Sequence, residues 1–183
     1  YYTTDNDSRR DLNSYNLKTG QSKLLQKDFR IGDLAFNKID ESIWGVKHLN
    51  GISTLVRIPK INPENPEKNY SSWEQKYTLS FGSDMFDLDI SPDGKNLSAA
   101  VTDLNSNQYL RIYEINSFDS GDFKDIKYRE VGNFEVSSPQ SFKYTADGKY
   151  LYGSSYYTGV SNIYKVDTST LEIEIVSNAD TGY

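Results

Sequence analysis

The sequence predicts an all-β fold, and three observations support that fold class. First, the turn at 91–95 (Ser-Pro-Asp-Gly-Lys) recurs 54 positions later at 145–149 (Thr-Ala-Asp-Gly-Lys). Proline presets a φ of about −65° and glycine accepts a positive φ, so both suit a tight turn. Second, apolar and polar residues alternate before each turn, at 88–90 and 142–144, as in a strand with one buried face. Third, the 15 tyrosines and 8 phenylalanines of the chain favour strands.

The agreement at this offset extends to the strands on both sides of the turn. Leu34 and Phe36 stand 54 positions before Leu88 and Ile90, although the turn between them and the next strand, at 37–42, has no glycine. After each turn an apolar residue recurs, followed two positions later by a small residue, which we expect where sheets pack face to face: Ile43 and Gly45, Leu97 and Ala99, Leu151 and Gly153. A β pattern with a period of about 40 to 55 residues is typical of propeller blades. The alternative is two unrelated hairpins that share a common turn, and the fixed offset disfavours it.

The predicted architecture is a partial β-propeller of four-stranded antiparallel blades, in which residues 1–183 form part of one propeller domain. The approximate blade pieces are 1–28, 31–82, 86–134 and 141–178. The first piece begins on a second strand, so the count is three complete blades plus most of a fourth. We expect an open arc whose terminal sheets leave apolar faces uncovered, since a propeller removes its exposed edges only by closing into a ring.

Several connections between strands can be placed in order along the chain. A polar loop is expected at 5–10 in the first blade piece. In the second blade the alternating apolar residues at 77–81 predict the fourth strand, after a long connection at 59–76 that is rich in proline and charge. Trp73 lies in that connection, where packing back onto the protein is favoured over a binding role. A second long connection is expected at 117–125.

Composition excludes several classes of function. The chain has 26 acidic and 20 basic residues, a net charge of −6, and no cluster of lysine and arginine of the kind that binds phosphate backbones. Nucleic acid is therefore not an expected partner. No run of about 18 apolar residues is present, so direct membrane insertion by this segment is not expected. With one histidine and no cysteine, and no ligand triplet of recognisable spacing, we expect no metal and no cofactor.

Catalytic residues are not expected either. The chain has no G-x-S-x-G, H-E-x-x-H, P-loop or G-x-G-x-x-G motif. Asp84, Asp87, Asp89 and Asp93 form a carboxylate-rich stretch that could suggest paired acid and base groups. Strand alternation instead predicts that these side chains line the wall of an innermost strand and its turn. His48, the only histidine, is interpreted as an exposed or hydrogen-bonded side chain at a strand end.

The repeat resembles that of TolB-type β-propellers. The resemblance rests on the turns at 91–95 and 145–149, each followed by an apolar strand and then by an Ile-Tyr strand at 112–115 or 163–166. The turn at 37–42 lacks Pro-Asp-Gly, and Ala146 replaces proline in the last copy. Such repeats occur in periplasmic envelope proteins, in prolyl-oligopeptidase and tricorn-type proteases, and in an oligogalacturonate-cleaving enzyme.

The resemblance implies a non-catalytic module for protein or ligand binding, within a larger bacterial cell-envelope protein of periplasmic or envelope location. The alternative that it implies is a gating or substrate-selecting propeller of a prolyl-oligopeptidase-like or tricorn-like hydrolase whose catalytic domain lies outside this chain. Expected partners are other proteins or the remaining blades of the parent chain. The expected contact face is opposite the Pro-Asp-Gly turns, and its candidate residues are Arg9, Arg10, His48, Asn50, Asp103, Asn105, Tyr156 and Tyr157.

Overall fold

The computed structural model describes residues 1–6, 9–60 and 73–181. These residues form fifteen strands in four antiparallel sheets. The first sheet contains β1 (Tyr2–Asn6), β2 (Arg9–Asn16) and β3 (Gln21–Gln26). The second contains β4 (Ile31–Phe36), β5 (Ile43–Leu49), β6 (Ile52–Ile58) and β7 (Glu74–Thr78). The third contains β8 (Asp84–Ile90), β9 (Asn96–Thr102), β10 (Gln108–Glu114) and β11 (Tyr128–Asn133). The fourth contains β12 (Gln140–Tyr144), β13 (Tyr150–Ser155), β14 (Asn162–Asp167) and β15 (Ile173–Ile175).

Each sheet is a meander in which consecutive strands pair with each other. Three sheets have four strands and the first has three, so the predicted fold class, a partial propeller of antiparallel blades, is confirmed. The innermost strands β4, β8 and β12 lie side by side, and each is the first strand of its sheet.

The sheets are joined in pairs by three hydrophobic cores. One core joins the first and second sheets and contains Leu12, Phe29 and Val56. The largest joins the second and third sheets around Trp44 and Tyr113. The last joins the third and fourth sheets and includes residues of β10 and β14. Face-to-face burial between neighbouring blades therefore supplies the main hydrophobic stabilisation of the arc.

The repeated turns form as the sequence predicts. Gly94 and Gly148 have φ values of 71° and 73°, and their amides donate to the carbonyl oxygens of Ser91 and Thr145 over 2.8 and 2.9 Å. In the degenerate copy Glu41 takes a positive φ of 57° instead of glycine. That turn is held by side chains that accept from the backbone two residues later, which explains how it forms without Pro-Asp-Gly.

The innermost strands share a β-bulge that alternation did not predict. Asp33, Asp87 and Ser141 occupy equivalent positions and have φ values of 46°, 53° and 55°. The pairing of each innermost strand with the next strand shifts register at this position. Aspartate tolerates the left-handed conformation better than most residues with a Cβ, so its use at two of these positions fits the bulge.

The bulge also changes the explanation for the recurring small residue. A Cβ added to Gly45 or Gly153 would collide with side chains of the innermost strand of the same sheet, Ile31 and Phe142 respectively. The expectation that a neighbouring sheet packs against this position was therefore wrong for Gly45 and Gly153, whereas Ala99 does lie in the core between the second and third sheets. The small residue is needed because side chains of the bulged strand fold across it.

Three of the expected connections differ in the structure. The loop expected at 5–10 is a hairpin, because residues 5 and 6 belong to β1 and residues 9 and 10 to β2. The fourth strand of the second sheet is Glu74–Thr78 rather than 77–81, so Phe81 lies beyond the strand. The connection at 117–125 contains two 3-10 helices, Ile115–Asp119 and Phe123–Asp125. In the connection expected at 59–76, residues 61–72 lie outside the described part.

Candidate functional site

The candidate site is the face opposite the Pro-Asp-Gly turns. It is formed by the loops between second and third strands and by the connections between sheets, and we call it the loop face: 50–51, 79–83, 103–107, 134–139 and 156–161. The two kinds of segment run side by side. The amide of Leu79 donates to the carbonyl of Ser53 over 2.9 Å, and the amide of Gln108 donates to the carbonyl of Glu135 over 2.6 Å.

A polar pair recurs where the second and third strands approach the loop face. The paired residues face each other across the two strands, as Asp5 with Arg10, His48 with Ser53, and Thr102 with Gln108. The first pair is a two-point ion pair with nitrogen–oxygen distances of 2.6 and 2.7 Å. The two candidate residues Arg10 and His48 are therefore held by cross-strand partners, which makes them poor candidates for a free contact.

His48 belongs to a small network that links the second and third sheets. Its Nδ1 lies 3.1 Å from the Ser53 hydroxyl, which donates to an oxygen of Asp84 over 2.6 Å. The same Nδ1 is 3.4 Å from that oxygen. In a nucleophilic triad the histidine accepts the serine proton and the carboxylate holds the other ring nitrogen. Here serine donates to the carboxylate and is 4% exposed, so the network is a link between sheets.

Asp103 is also committed to local structure. Its carboxylate accepts from the amides of Asn105 and Asn107 over 2.8 and 2.9 Å, and from the Tyr109 hydroxyl over 3.3 Å. Desolvation raises the pKa of Asp103, but these hydrogen bonds outweigh it and hold the pKa below its ordinary value. Asp103 thus orders the loop and leaves the exposed side chain of Asn105 at its tip.

The remaining candidates are mostly exposed. Tyr156 and Tyr157 are 56% and 48% exposed, and the Tyr157 ring lies 5.9 Å from Phe134, edge to face. Asn50 occupies the hairpin turn with a φ of 53°. The backbone of Arg9 lies in β2, and its side chain is outside the described part. The structure therefore distributes the eight candidates over all four sheets and their loops, and gives them no common centre.

Three apolar side chains of the loop face are not among the eight candidates. Phe81, Leu104 and Val136 are 73%, 66% and 84% exposed. Leu104 lies next to the connection that contains Phe81, since a Cβ on Gly82 would touch Leu104. The Phe81 ring lies next to the 50–51 turn, since a Cβ on Gly51 would touch that ring. The alternation at 77–81 predicts a strand that includes Phe81, because it continues the pattern of β7, which ends at Thr78. The glycine at position 82, which ends a strand pattern, was the available signal against that assignment.

The opposite face carries the repeated turns and a polar cleft of about 460 Å³ between the third and fourth sheets. Asp93 and Asp147 line it. The Ser91 hydroxyl donates to Asp93 and the Thr145 hydroxyl to Asp147, each over 2.6 Å. These bonds hold the pKa of both carboxyls below the ordinary value. Hydrolysis by two carboxyls requires that their pKa values differ, so that one acts as the acid and the other as the base. Asp93 and Asp147 both have a lowered pKa and do not form such a pair.

No group of three or more histidine, aspartate or glutamate side chains converges in the described ranges in a way that would hold a metal ion. No helix in that part of the chain is long and apolar enough to cross a membrane.

No protein-family model matches the sequence, and no curated protein matches it. Solved structures do match its fold. TolB from Acinetobacter baumannii superposes with a TM-score of 0.70 at 15% identity, covering 94% of this chain and 39% of that one. An oligogalacturonate lyase in complex with manganese gives 0.62 at 15% identity, covering 94% and 43%. A puromycin-hydrolysing peptidase from Mycobacterium tuberculosis gives 0.61 at 13% identity, covering 98% and 29%.

This chain thus spans less than half the length of these three structures. At identities of 13% to 15% the similarity shows the fold, which accommodates unrelated functions. The sheet order and the comparisons agree that the chain has a TolB-like β-propeller fold.

Proposed function

We propose that the chain is a non-catalytic propeller module that binds another protein through its loop face, within a larger bacterial cell-envelope protein. The observation that carries this proposal is that several loops of that face expose apolar side chains, including Phe81, Leu104 and Tyr156. Single exposed apolar residues are common on protein surfaces, but several of them on the loops of one face of a scaffold are typical of a contact surface.

The residue types on the loop face support a protein partner. Tyrosine and phenylalanine are enriched at the centres of protein interfaces, because they bury a large area with few rotatable bonds. Asn50 and Asn105 are exposed on the same face and can offer hydrogen bonds to a partner. The cell-envelope location is supported by the similarity to TolB and rests on that similarity alone.

Photo-crosslinking in the cells that naturally produce the protein tests this proposal. A photoreactive phenylalanine analogue is placed at Phe81 or Tyr156 on the loop face, and in the control at Phe123. Phe123 is 71% exposed but lies on the opposite side, in the connection between β10 and β11. The amide of Ile115, at the start of that connection, donates to the carbonyl oxygen of Lys95 in the repeated turn. We expect protein adducts from the two loop-face positions and few from Phe123. Equal adduct yields from both faces, or none from the loop face, would reject the proposal.

A second candidate is a gating propeller attached to a hydrolase domain outside this chain. It is favoured by the similarity to the puromycin-hydrolysing peptidase and to the β-propeller domain of the Trilobed protease from Pyrococcus furiosus, which has a TM-score of 0.52 at 14% identity. The sequence of the whole polypeptide separates the two candidates. A G-x-S-x-G domain in it supports gating, whereas an outer-membrane or peptidoglycan-binding segment supports the envelope module.

A further inference from the structure

Carboxylates at the bulges connect the innermost strands to one another. The amide of Asp87 donates to Oδ2 of Asp33 over 3.2 Å. One repeat later the amide of Ser141 donates to Oδ2 of Asp87 over 2.9 Å. Each link joins residues 54 positions apart, so the same hydrogen bond is made twice between equivalent positions of neighbouring blades.

This series of hydrogen bonds has an open start at Asp33. The amide of Asp33 is equivalent to the donor amides of Asp87 and Ser141. Among residues 1–6, 9–60 and 73–181, however, no carboxylate accepts a hydrogen bond from the Asp33 amide. In the repeat, the acceptor for this amide would lie on an innermost strand of the first sheet. That sheet has the order β1-β2-β3, and β1 contacts β4 as β5 contacts β8. Within the described part of the chain, the first sheet therefore presents a free edge of β1 where the other sheets have an innermost strand.

The register of a strand on this edge follows from the repeat. Leu12, Leu55 and Leu110 are equivalent, because each lies at the register shift between the third and fourth strands. Their partners on the second strands are Thr3, Val46 and Ala100. Val46 in turn pairs with Gly32, and Ala100 with Phe86, the residues immediately before Asp33 and Asp87. The residue opposite Thr3 should thus immediately precede the bulge residue.

We propose that the free edge of β1 binds an extended polypeptide segment that is a further copy of the innermost repeat strand and carries aspartate at its bulge. The segment pairs antiparallel with β1, with the residue before that aspartate opposite Thr3. The aspartate carboxylate accepts from the amide of Asp33. Edge pairing alone accepts most extended sequences. Here the side chain adds selectivity, because it must tolerate the left-handed conformation and also reach the next blade.

The first test uses a labelled peptide with the sequence of residues 83–91 and fluorescence anisotropy on the 183-residue chain. Two peptide variants are compared, Asp87→Ala and Asp84→Ala. Both lose one carboxylate, but only Asp87→Ala loses the bulge residue. We expect the Asp87→Ala peptide to bind at least about tenfold more weakly than the parent peptide, because it loses a hydrogen bond to a charged acceptor. The Asp84→Ala peptide should bind with almost the affinity of the parent peptide. Equal weakening by both variants, or no binding by the parent peptide, would overturn the proposal.

The second test locates the bound peptide, since a peptide could also add to the outer strands. The chain has no cysteine, so Thr3→Cys introduces a single thiol at β1. The peptide carries cysteine in place of Phe86, or in the control in place of Leu88. Directly opposed residues of antiparallel strands are within disulfide reach, whereas residues two positions away are not. Rapid crosslinking is expected only with the cysteine at position 86, and equal rates for the two peptides would refute the predicted register.

Discussion

At the scale of single residues, aspartates hold the repeat together. Asp33 and Asp87 bridge neighbouring innermost strands through their carboxylates, and Asp89 adds a third bridge by accepting from the amide of Tyr144 over 2.8 Å. Asp93 and Asp147 instead close the turns within their own sheets. Carboxylates that could suggest catalysis in the sequence thus serve backbone amides, which otherwise lack partners at bulges and turns.

The bridge made by Asp87 predicts a measurable loss of stability. Asp87→Ala removes the acceptor of the Ser141 amide and places alanine at a φ of 53°. We expect the free energy of unfolding to fall by about 1–3 kcal/mol. Asp87→Asn should lose less, because its side-chain oxygen still accepts and asparagine tolerates the left-handed region. Urea denaturation of both variants measures this, and an Asp87→Ala variant as stable as the parent would contradict the bridge.

The turn carboxylates predict a dependence of stability on acid. The Ser91 hydroxyl, followed by the Lys95 amide, lowers the pKa of Asp93 in the folded chain, and Thr145 and Lys149 do the same for Asp147. A depressed folded pKa stabilises the fold fully above the ordinary aspartate pKa of about 3.9, and this contribution is lost as the pH falls through the folded pKa.

Urea midpoints measured from pH 7 down to pH 2.5 should therefore drop below about pH 4. The double variant Ser91→Ala and Thr145→Ala removes the hydroxyl donors, so its folded pKa values lie closer to the ordinary value. Its stability at pH 7 should be lower and its acid-dependent loss smaller than in the parent. Identical slopes in the two proteins would show that these carboxyls do not carry the dependence.

At the scale of elements, the turns could be predicted from sequence and the bulges could not. Proline, aspartate and glycine determine a turn locally, so one copy suffices to recognise it. A bulge forms where the pairing of two strands shifts register. The alternation of apolar and polar residues along one strand does not predict where that shift occurs. The recurrence of aspartate at positions 33 and 87 was a visible signal. Its meaning became clear only from the amides of the next strand, which lie 54 residues away.

The bulge predicts that Gly153 cannot accept a side chain. A Cβ there would collide with the Phe142 ring and lie 2.7 Å from the carbonyl oxygen of Gln140. Because a carbonyl of the bulged strand cannot easily move, we expect Gly153→Ala to destabilise the chain by about 1–3 kcal/mol. Ser154→Ala, at the neighbouring residue, is the control and should change little. Thermal unfolding of the two variants distinguishes this explanation from a site that merely prefers small residues.

The connection at 117–125, expected as a loop, is a structural element. Phe118 in its first 3-10 helix is buried, with ring centroids 5.8 Å from Trp44 and 5.6 Å from Tyr113. Phe118→Ala should therefore cost about 3–5 kcal/mol of unfolding free energy. Phe123→Ala is the matched control, since that ring is 71% exposed and should contribute less than about 0.5 kcal/mol. Comparable effects of both variants would mean that the connection is not packed.

At the scale of the whole molecule, the arc of stacked sheets could be predicted from the sequence repeat, whereas the candidate site could not. Each blade buries one face against the next, so a repeat detected in the sequence implies stacked sheets. The contact face depends on loops that differ in length and composition from blade to blade, and no period predicts them. His48 and Asp103 are candidates in the sequence because they are polar and lie at strand ends and loops, yet both are hydrogen-bonded to local partners. Phe81 is not a candidate in the sequence because it continues a strand pattern.

The arc predicts exposed apolar surface on its terminal sheets. The outer face of the fourth sheet carries Tyr152 and Ile163, and that of the first sheet carries Tyr15 and Leu24, each at least 40% exposed. Among the described residues, the three hydrophobic cores lie only between neighbouring sheets, so these outer faces have no covering sheet. The 183-residue chain should therefore bind a hydrophobic dye and associate at micromolar concentrations.

The variant Tyr152→Ser with Ile163→Ser should reduce both the dye signal and the association measured by light scattering, because it removes apolar area from one outer face. Phe123→Ser is the matched control. It removes a ring that is 71% exposed but lies in the connection rather than on a sheet face, so it should leave the association unchanged. A monomeric parent chain without dye binding would contradict the open arc, and an equal effect of the control would show that exposed apolar area in general, rather than the uncovered sheet, drives association.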